Sequence, residues 1–308
     1  MIIGTRSSKL ALWQAEYIAD CLQKQYPDLV VELKHIATTG DKILDTPLAK
    51  IGGKGLFTKE LETEMLAGDI DIAVHSLKDM PTQIPEGLTL AVITERFDPG
   101  DCLVSNVYQS LAELPQGARV GTSSLRRKAQ LLHVRPDLTI LDLRGNVNTR
   151  LRKLDAGEYD VIILAAAGLK RLGFGDRIKE TIDPALCLPA VGQGALAIEA
   201  RADDEEILEC IKFLQDEATR QSAAAERAFL AAVEGGCQVP VGVYARKQAN
   251  GSLQVTAVIA SVDGKTLLRD ELTGDAAEAT KLGQMLAKKL LAAGGLAIMQ
   301  DIGLLLDK

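Results

Sequence analysis

The run Ile2-Ile3-Gly4-Thr5-Arg6-Ser7-Ser8-Lys9-Leu10-Ala11-Leu12-Trp13-Gln14 passes from apolar residues through hydroxyls into helical spacing. Its start reads as a short strand, Ile2 to Thr5. Leu10, Trp13, Tyr17, Ile18 and Leu22 then recur at the interval that lines one helix face, predicting a helix from about Ser8 to Gln25 that Pro27 closes. A strand feeding straight into a helix opens an α/β unit. Outward from it the rhythm repeats: Val30 to Ile36 alternates as a strand, Phe57 to Leu66 is amphipathic, and Asp71 to Val74 and Leu88 to Ile93 are strand-like. A second unit follows, with a strand at Ala118 to Gly121, a helix from Ser124 to Val134 and a strand at Leu138 to Leu143. A helix near Asn148 to Leu154 and the apolar strand Val161 to Leu164 complete it.

Past Ala195-Leu196-Ala197-Ile198 the composition turns helical, from Asp203 to Val233 with a break near Asp216. Strands are expected around Val241 to Tyr244, Leu253 to Ile259 and Thr266 to Leu272, the last two joined by a turn at Asp263-Gly264. A final helix, Ala276 to Leu291, packs against them, so the C-terminal part reads as a small α+β domain of its own.

The chain has 308 residues, 47% of them apolar and 25% charged, enough for two or three domains with separate cores. The start lacks the apolar core of a signal peptide, and no uninterrupted apolar stretch approaches the length of a membrane span. A cytoplasmic protein is expected. The five cysteines, Cys21, Cys102, Cys187, Cys210 and Cys237, are scattered without Cys-x-x-Cys spacing and suggest neither a disulfide framework nor a zinc site. His35, His75 and His133 are far apart in sequence, so no metal is expected. Net charge is −7, yet between Arg119 and Lys153 nine Lys/Arg stand against two acids, Asp137 and Asp142. That concentration suits a compact polyanion, because the acidic remainder of the surface would repel nucleic acid. Arg135 and Lys153 fit a solvated helix face; the glycine-flanked arginines do not.

Gly121-Thr122-Ser123-Ser124-Leu125-Arg126-Arg127 places glycine and hydroxyls between a strand and a helix, with two arginines in the first turn. Backbone N–H groups and the positive end of the helix dipole point outward at such a junction and can hold a carboxylate or phosphate. Thr5-Arg6-Ser7-Ser8 has the same design, and Arg144-Gly145-Asn146 follows a third strand. Any one of them alone also reads as a helix cap beside a surface arginine. Gly52-Gly53-Lys54-Gly55-Leu56-Phe57 lacks the order of a nucleotide-binding loop and reads as a glycine-rich lid or a plain flexible loop. Asp71 to Pro81 runs from a buried strand into His75-Ser76-Leu77-Lys78-Asp79, making Asp79 and Lys78 candidates for acid/base or cation-stabilising work. An aspartate near proline is equally a turn residue. In Glu234-Gly235-Gly236-Cys237-Gln238-Val239-Pro240 the glycines leave room at the thiol and the proline prevents helix, so Cys237 reads as an attachment point, or else as a small buried hydrophobe after a helix end.

These segments together resemble the porphobilinogen deaminases, also called hydroxymethylbilane synthases, over essentially the entire chain. The matching runs are Gly4 to Gln14, Gly52 to Phe57, His75 to Pro81, Gly121 to Arg127, Leu143 to Asn146, Leu188 to Gly194, and Glu226-Arg227 through Gly236 to Pro240. Asp98-Pro99-Gly100-Asp101 departs from the pattern, with glycine where arginine is expected. The resemblance implies an α/β protein of three domains, the first two like type II periplasmic solute-binding domains and the third a small α+β C-terminal domain. Domain 1 would be 1–94 with 195–212, domain 2 would be 95–194, and 213–308 the cofactor-attachment domain. It implies condensation of four porphobilinogen units with release of ammonia on a dipyrromethane cofactor, joined by a thioether to Cys237. Asp79 would be catalytic, stabilising an azafulvenium-like cation and handling pyrrole protons. Lys78, Thr122, Ser124, Arg126, Arg127, Arg144 and Gly145 would hold the cofactor, Arg6, Ser8, Arg150 and Arg171 the substrate, and Lys50, Lys54 and Phe57 would form the lid. A monomer without membrane or nucleic-acid partners is implied. A non-catalytic solute-binding or effector-sensing module on the same fold would explain the arginines, but gives Cys237 and the third domain no work.

Overall fold

A computed structural model describes residues 1–42, 55–233 and 239–302. The chain begins with β1 (Ile2–Thr5), α1 (Lys9–Gln25), β2 (Glu32–His35), the single turn α2 (Thr39–Lys42), α3 (Lys59–Leu66), β3 (Ile72–Ser76) and β4 (Leu88–Ile93). Then come β5 (Asp101–Val104), β6 (Arg119–Gly121), α4 (Leu125–Val134), β7 (Thr139–Leu141), α5 (Val147–Asp155), β8 (Val161–Ala165), α6 (Ala166–Arg171) and β9 (Ile178–Thr181). β10 (Leu196–Arg201), α7 (Glu205–Ile211) and α8 (Glu217–Ala232) lead to β11 (Val241–Lys247), β12 (Leu253–Ala260), β13 (Leu267–Gly274), α9 (Ala279–Leu290) and α10 (Leu296–Asp301). Two compact units result, Met1–Phe97 with Gly194–Arg220, and Asp98–Gln193 with the residues from Gln221 on.

The first unit holds a five-stranded sheet in the order β2-β1-β3-β10-β4. β1 runs parallel to β2 and β3, whereas β10 is antiparallel to both its neighbours, with Leu196 opposite Ser76 and Arg201 opposite Leu88. Where the sequence showed only a change of composition at Ala195 to Ile198, the chain supplies an interior strand. Leu196 to Ala200 are buried without alternation, so the period that marks a half-exposed strand is missing. On α1, the Ser8 hydroxyl accepts from the Ala11 N–H, and Gln14, Ala15, Ile18 and Leu22 form the buried stripe. Burying side chains such as Ile18 and Leu22 stabilises the unit by about 1.5–3 kcal/mol each. Trp13 and Tyr17 correct the expected stripe: they stack on each other at 5.3 Å, and Tyr17 is 46% exposed.

The second unit contains a five-stranded sheet, β7-β6-β8-β5-β9, and a three-stranded one, β11-β12-β13. β6 is parallel to β7 and β8, and β5 is antiparallel to β8 and β9. The short strands β5 and β9 were not anticipated. Ser124 and Asn146 cap α4 and α5 through their side chains. Phe229 of α8 and Leu286 and Leu290 of α9 fill a core against Val243, Val255 and Ala257 of the antiparallel sheet. That sheet meets α4 through Ala129, Leu188, Val258 and Ala260. In the expected β12–β13 turn, Gly264 (φ +74) lies so near α4 that a Cβ would stand 2.7 Å from the His133 backbone nitrogen. His133 Nδ1 is 2.9 Å from the Gly264 carbonyl oxygen.

The last helix does not stop at Leu291 as expected but continues through a kink at Gly294 (φ 116) to Asp301. Ala276–Asp301 is long and apolar enough to cross a membrane by length and composition alone, as core helices also are, but Glu278, Lys281, Lys288 and Lys289 interrupt it, so no uninterrupted apolar span is present there. Leu282, Leu286, Leu290 and Met299 of this segment are buried in the core of the C-terminal sheet.

Candidate active site

In the first unit, Arg6, Ser8, Phe57, His75 and Asp79 line one cavity. β1 delivers Arg6 and Ser8 at its C-terminal end. Ser8 spends its oxygen lone pair on capping α1, which leaves its O–H to donate to an incoming anion. Arg6 lies over the Phe57 ring, 4.2 Å from the centroid, so the aromatic residue expected in the lid holds a guanidinium expected at the substrate. Asp79 ends the short 3₁₀ turn Leu77–Asp79 directly after β3, with its side chain exposed. Leu77 is buried, and its N–H donates to the Ala195 carbonyl, so the turn is anchored where β10 begins. Lys78 occupies the same turn, half-buried.

In the second unit, Thr122, Ser124, Lys128 and Asp142 line a further cavity. Ser123 donates to the Leu143 carbonyl and accepts from the Leu143 N–H, stitching the β6 end to the loop after β7. That loop carries Arg144 and Gly145. Gly145 has φ +109, and a Cβ there would come 2.7 Å from Thr149 Cγ2, so only glycine fits. Arg150 donates from Nε to the Gly145 carbonyl, and Arg171 is the last residue of α6. Lys128, one turn beyond the junction, was not singled out in the sequence; its place on α4 below Ser124 is the signal that could have found it.

Arg126 and Arg127 turn inward rather than toward the junction. Both are nearly fully buried and share one carboxylate, Asp101 of β5, at 2.6 and 2.7 Å. Arg126 also donates to the Leu188 carbonyl, Arg127 to the Ile163 carbonyl, and Gln193 Nε2 to Asp101. Burial alone would push the Asp101 carboxyl up; the two guanidiniums outweigh it and hold it well below the carboxylate range. The cluster still carries one more cation than anion. Arg135, expected as a solvated arginine, is instead tied to Asp137 and to the Leu111 and Leu114 carbonyls. Gly100, the departure from the expected pattern, is buried, and a Cβ would stand 2.9 Å from Thr181 Cγ2.

Cys237, Lys50 and Lys54 lie outside the described residues. Of the other cysteines, Cys102 and Cys187 are buried, and burial pushes both thiols up to about 12, the Asp101 carboxylate adding to the effect at each. A thiol reagent at pH 8 should leave Cys102 and Cys187 unmodified in the native protein and label both in denaturant, as read by peptide mass mapping. Among the described residues no three His, Cys, Asp or Glu side chains are placed to hold a metal ion.

Strand-to-helix junctions with hydroxyls and cations, and a carboxylate at a strand end, give this α/β protein groups of the kind that suit anions and proton or cation chemistry. Residues 1–209 match the model of the porphobilinogen deaminase dipyromethane cofactor binding domain, and residues 221–292 that of the porphobilinogen deaminase C-terminal domain. The chain belongs to the porphobilinogen deaminase family, enzymes of tetrapyrrole biosynthesis. It is 54% identical over 301 residues to the porphobilinogen deaminase of Geotalea daltonii, covering 97% of this chain and 94% of that one. The Geobacter sulfurreducens porphobilinogen deaminase is 54% identical over 300 residues, with the same coverage. Among solved structures, an ABC-transporter periplasmic substrate-binding protein from Coxiella burnetii aligns over 74% of this chain and 96% of its own, with 15% identity and a TM-score of 0.45.

Proposed function

We propose that this enzyme joins four porphobilinogen molecules head to tail into hydroxymethylbilane, releasing one ammonia per unit, on a dipyrromethane fixed by a thioether to Cys237. The carrying observation is the cavity at the β6–α4 junction, where the hydroxyls of Thr122 and Ser124 and the cation of Lys128 come together as a carboxylate requires. Each pyrrole unit brings an acetate and a propionate, and guanidinium pairs neutralise carboxylates with defined geometry. Thr122, Ser124, Arg126, Arg127, Arg144, Gly145 and Lys78 would hold the cofactor, with Arg6, Ser8, Arg150 and Arg171 on the incoming unit and growing chain. The dipyrromethane, when bound, supplies the free pyrrole α-carbon at which extension starts and the tether that retains products.

Asp79 has the residue type and placement to face a developing cation. When the C–N bond of the aminomethyl group breaks, the electron pair leaves with nitrogen and positive charge spreads from the methylene into its pyrrole. An anionic carboxylate in the pocket lowers that barrier. Arg6 holds a side-chain carboxylate of the same unit while Phe57, with Lys50 and Lys54 of the lid, limits water.

Val233 and Val239, the described residues on either side of Cys237, are both buried in the C-terminal core. Three separate sheets support the division into 1–94 with 195–212, 95–194 and 213–308. The same reading makes the protein a monomer of the cytoplasm without membrane or nucleic-acid partners; its net charge of −7 disfavours nucleic acid.

Intact mass spectrometry tests the tether. The purified protein should exceed its sequence mass by one dipyrromethane and gain single pyrrole increments with porphobilinogen, and Cys237→Ser should lack both. A thioether survives mild thiol reductants that strip a disulfide-linked adduct. Unmodified mass in active protein would overturn the mechanism, and an adduct on Cys21 or Cys210 would overturn the site.

A further inference from the structure

Below the Asp79 cavity lies a group of ionisable side chains that the mechanism above does not use. His75 of β3 lines the cavity, and its Nε2 lies 3.3 Å from Oε2 of Glu199 on β10. Because His75 is paired with Ala197 in the antiparallel ladder, Glu199 stands diagonally beside it on the same sheet face. Glu199 is 0% exposed and His75 7%. Neither carboxylate oxygen of Glu199 accepts a hydrogen bond from any described residue. On α3, packed over this face, Glu62 is also buried. Burial raises its carboxyl above the ordinary range, the Thr58 hydroxyl pulls it back, and the Glu199 charge raises it again. The surroundings are Leu61, Met65 and Ala73, an apolar layer in which unpaired carboxylates cost stability. The ionisable groups facing His75 are thus Glu199 from β10, Glu62 from α3, and Arg6 and Asp79 across the cavity.

We propose that His75, backed by Glu199, is the base that takes the proton from the acceptor pyrrole, leaving Asp79 to serve as counter-ion to the substrate cation throughout. This inference rests on the reading of the Asp79 cavity as the place of condensation. Porphobilinogen enters as its ammonium form. The C–N bond breaks and ammonia departs with the electron pair, and a C–C bond forms between the methylene and the acceptor's α-carbon. That carbon's proton passes to the His75 ring, where Glu199 offsets the new positive charge. It then passes to ammonia, which leaves as ammonium, so each cycle returns His75 to its starting state. Burial raises the Glu62 carboxyl, which disfavours a second negative charge beside the buried pair. His75 touches the reacting unit; Glu199 is a positioning residue that acts through it.

The test compares wild type, His75→Gln, Glu199→Gln and Glu64→Gln, the last a control on the solvent side of α3 where Glu64 pairs with Lys34. Single-turnover condensation should slow about 10- to 100-fold in the His75 and Glu199 variants, with KM within about twofold. Both should lose the acid-side fall of the pH–rate profile, and Glu64→Gln should match wild type. In protein without substrate, ¹⁵N NMR of the imidazoles, simple to assign with three histidines, should show the His75 titration altered by Glu199→Gln. Wild-type rates and profiles in the folded variants, or a His75 titration indifferent to Glu199→Gln, would overturn the proposal. If Glu199→Gln does not fold, His75→Gln carries the kinetic arm alone. Should Asp79→Asn retain turnover, the cavity is not the site of condensation and both readings fall. If Asp79→Asn is inactive while the His75 and Glu199 variants are normal, this inference alone fails.

Discussion

Asp79→Asn should turn over porphobilinogen about a hundredfold more slowly than wild type or worse, the loss expected when a charged catalytic group is removed. The substitution keeps the side chain's size and hydrogen-bonding reach. It deletes the negative charge that faces the methylene cation. Since the side chain is exposed at the end of the Leu77–Asp79 turn and the turn is held by Leu77, the fold should be unaffected. The protein should therefore still carry its dipyrromethane by intact mass while adding pyrrole units slowly. Near-normal turnover with the cofactor in place would show that the charge has no role.

Asp101→Asn should have the largest effect on stability. Asp101 is wholly buried and is the shared acceptor of two buried guanidiniums. Breaking a buried pair by removing one partner costs about 3–5 kcal/mol, because the remaining charge cannot be rehydrated in place. The transition of the second unit should then fall on the order of 10 °C, measured by calorimetry. The sign with pH follows from the direction of the shift. A carboxyl held below its unfolded value stabilises the native state fully above about pH 4, the value of a free aspartate. The gap between wild type and variant should stay constant from pH 8 to that point and close as the pH falls further, while the unfolded wild-type chain gains its proton. A gap unchanged at pH 2 would contradict the ion-pair origin.

The parts of this molecule legible in the sequence were those written in local chemistry. Ser8, Ser124 and Asn146 each announce a helix start, and each caps one. The strand ends that carry Arg6, Asp79 and Thr122 were found because a polar run after apolar residues has few other meanings in an α/β chain. Long-range pairing was not legible. β10 is buried on both faces and has no alternation to read, so its return to the first unit was visible only through the family resemblance, and its place between β3 and β4 was not visible at all. Asp101 was noticed only as part of the Asp98–Asp101 run, and nothing near it in sequence tells that Arg126 and Arg127 will claim it. Arg135 failed as a surface residue for the same reason, its carbonyl partners Leu111 and Leu114 lying a full turn of the fold away. Trp13 and Tyr17 satisfied the helical period, and yet stack beside the stripe that Gln14 and Ala15 occupy.

The position of β10 sets an order of assembly during synthesis. β1, β2, β3 and β4 leave the ribosome early, but the place between β3 and β4 stays empty until Arg201 has emerged. Every strand of the β7-β6-β8-β5-β9 sheet is available by Thr181. The sheet encoded second can therefore close first, while the one encoded first waits as two unjoined parts with open hydrogen-bonding edges. A nascent chain arrested between these points is the form of this protein most exposed to chaperones and to aggregation.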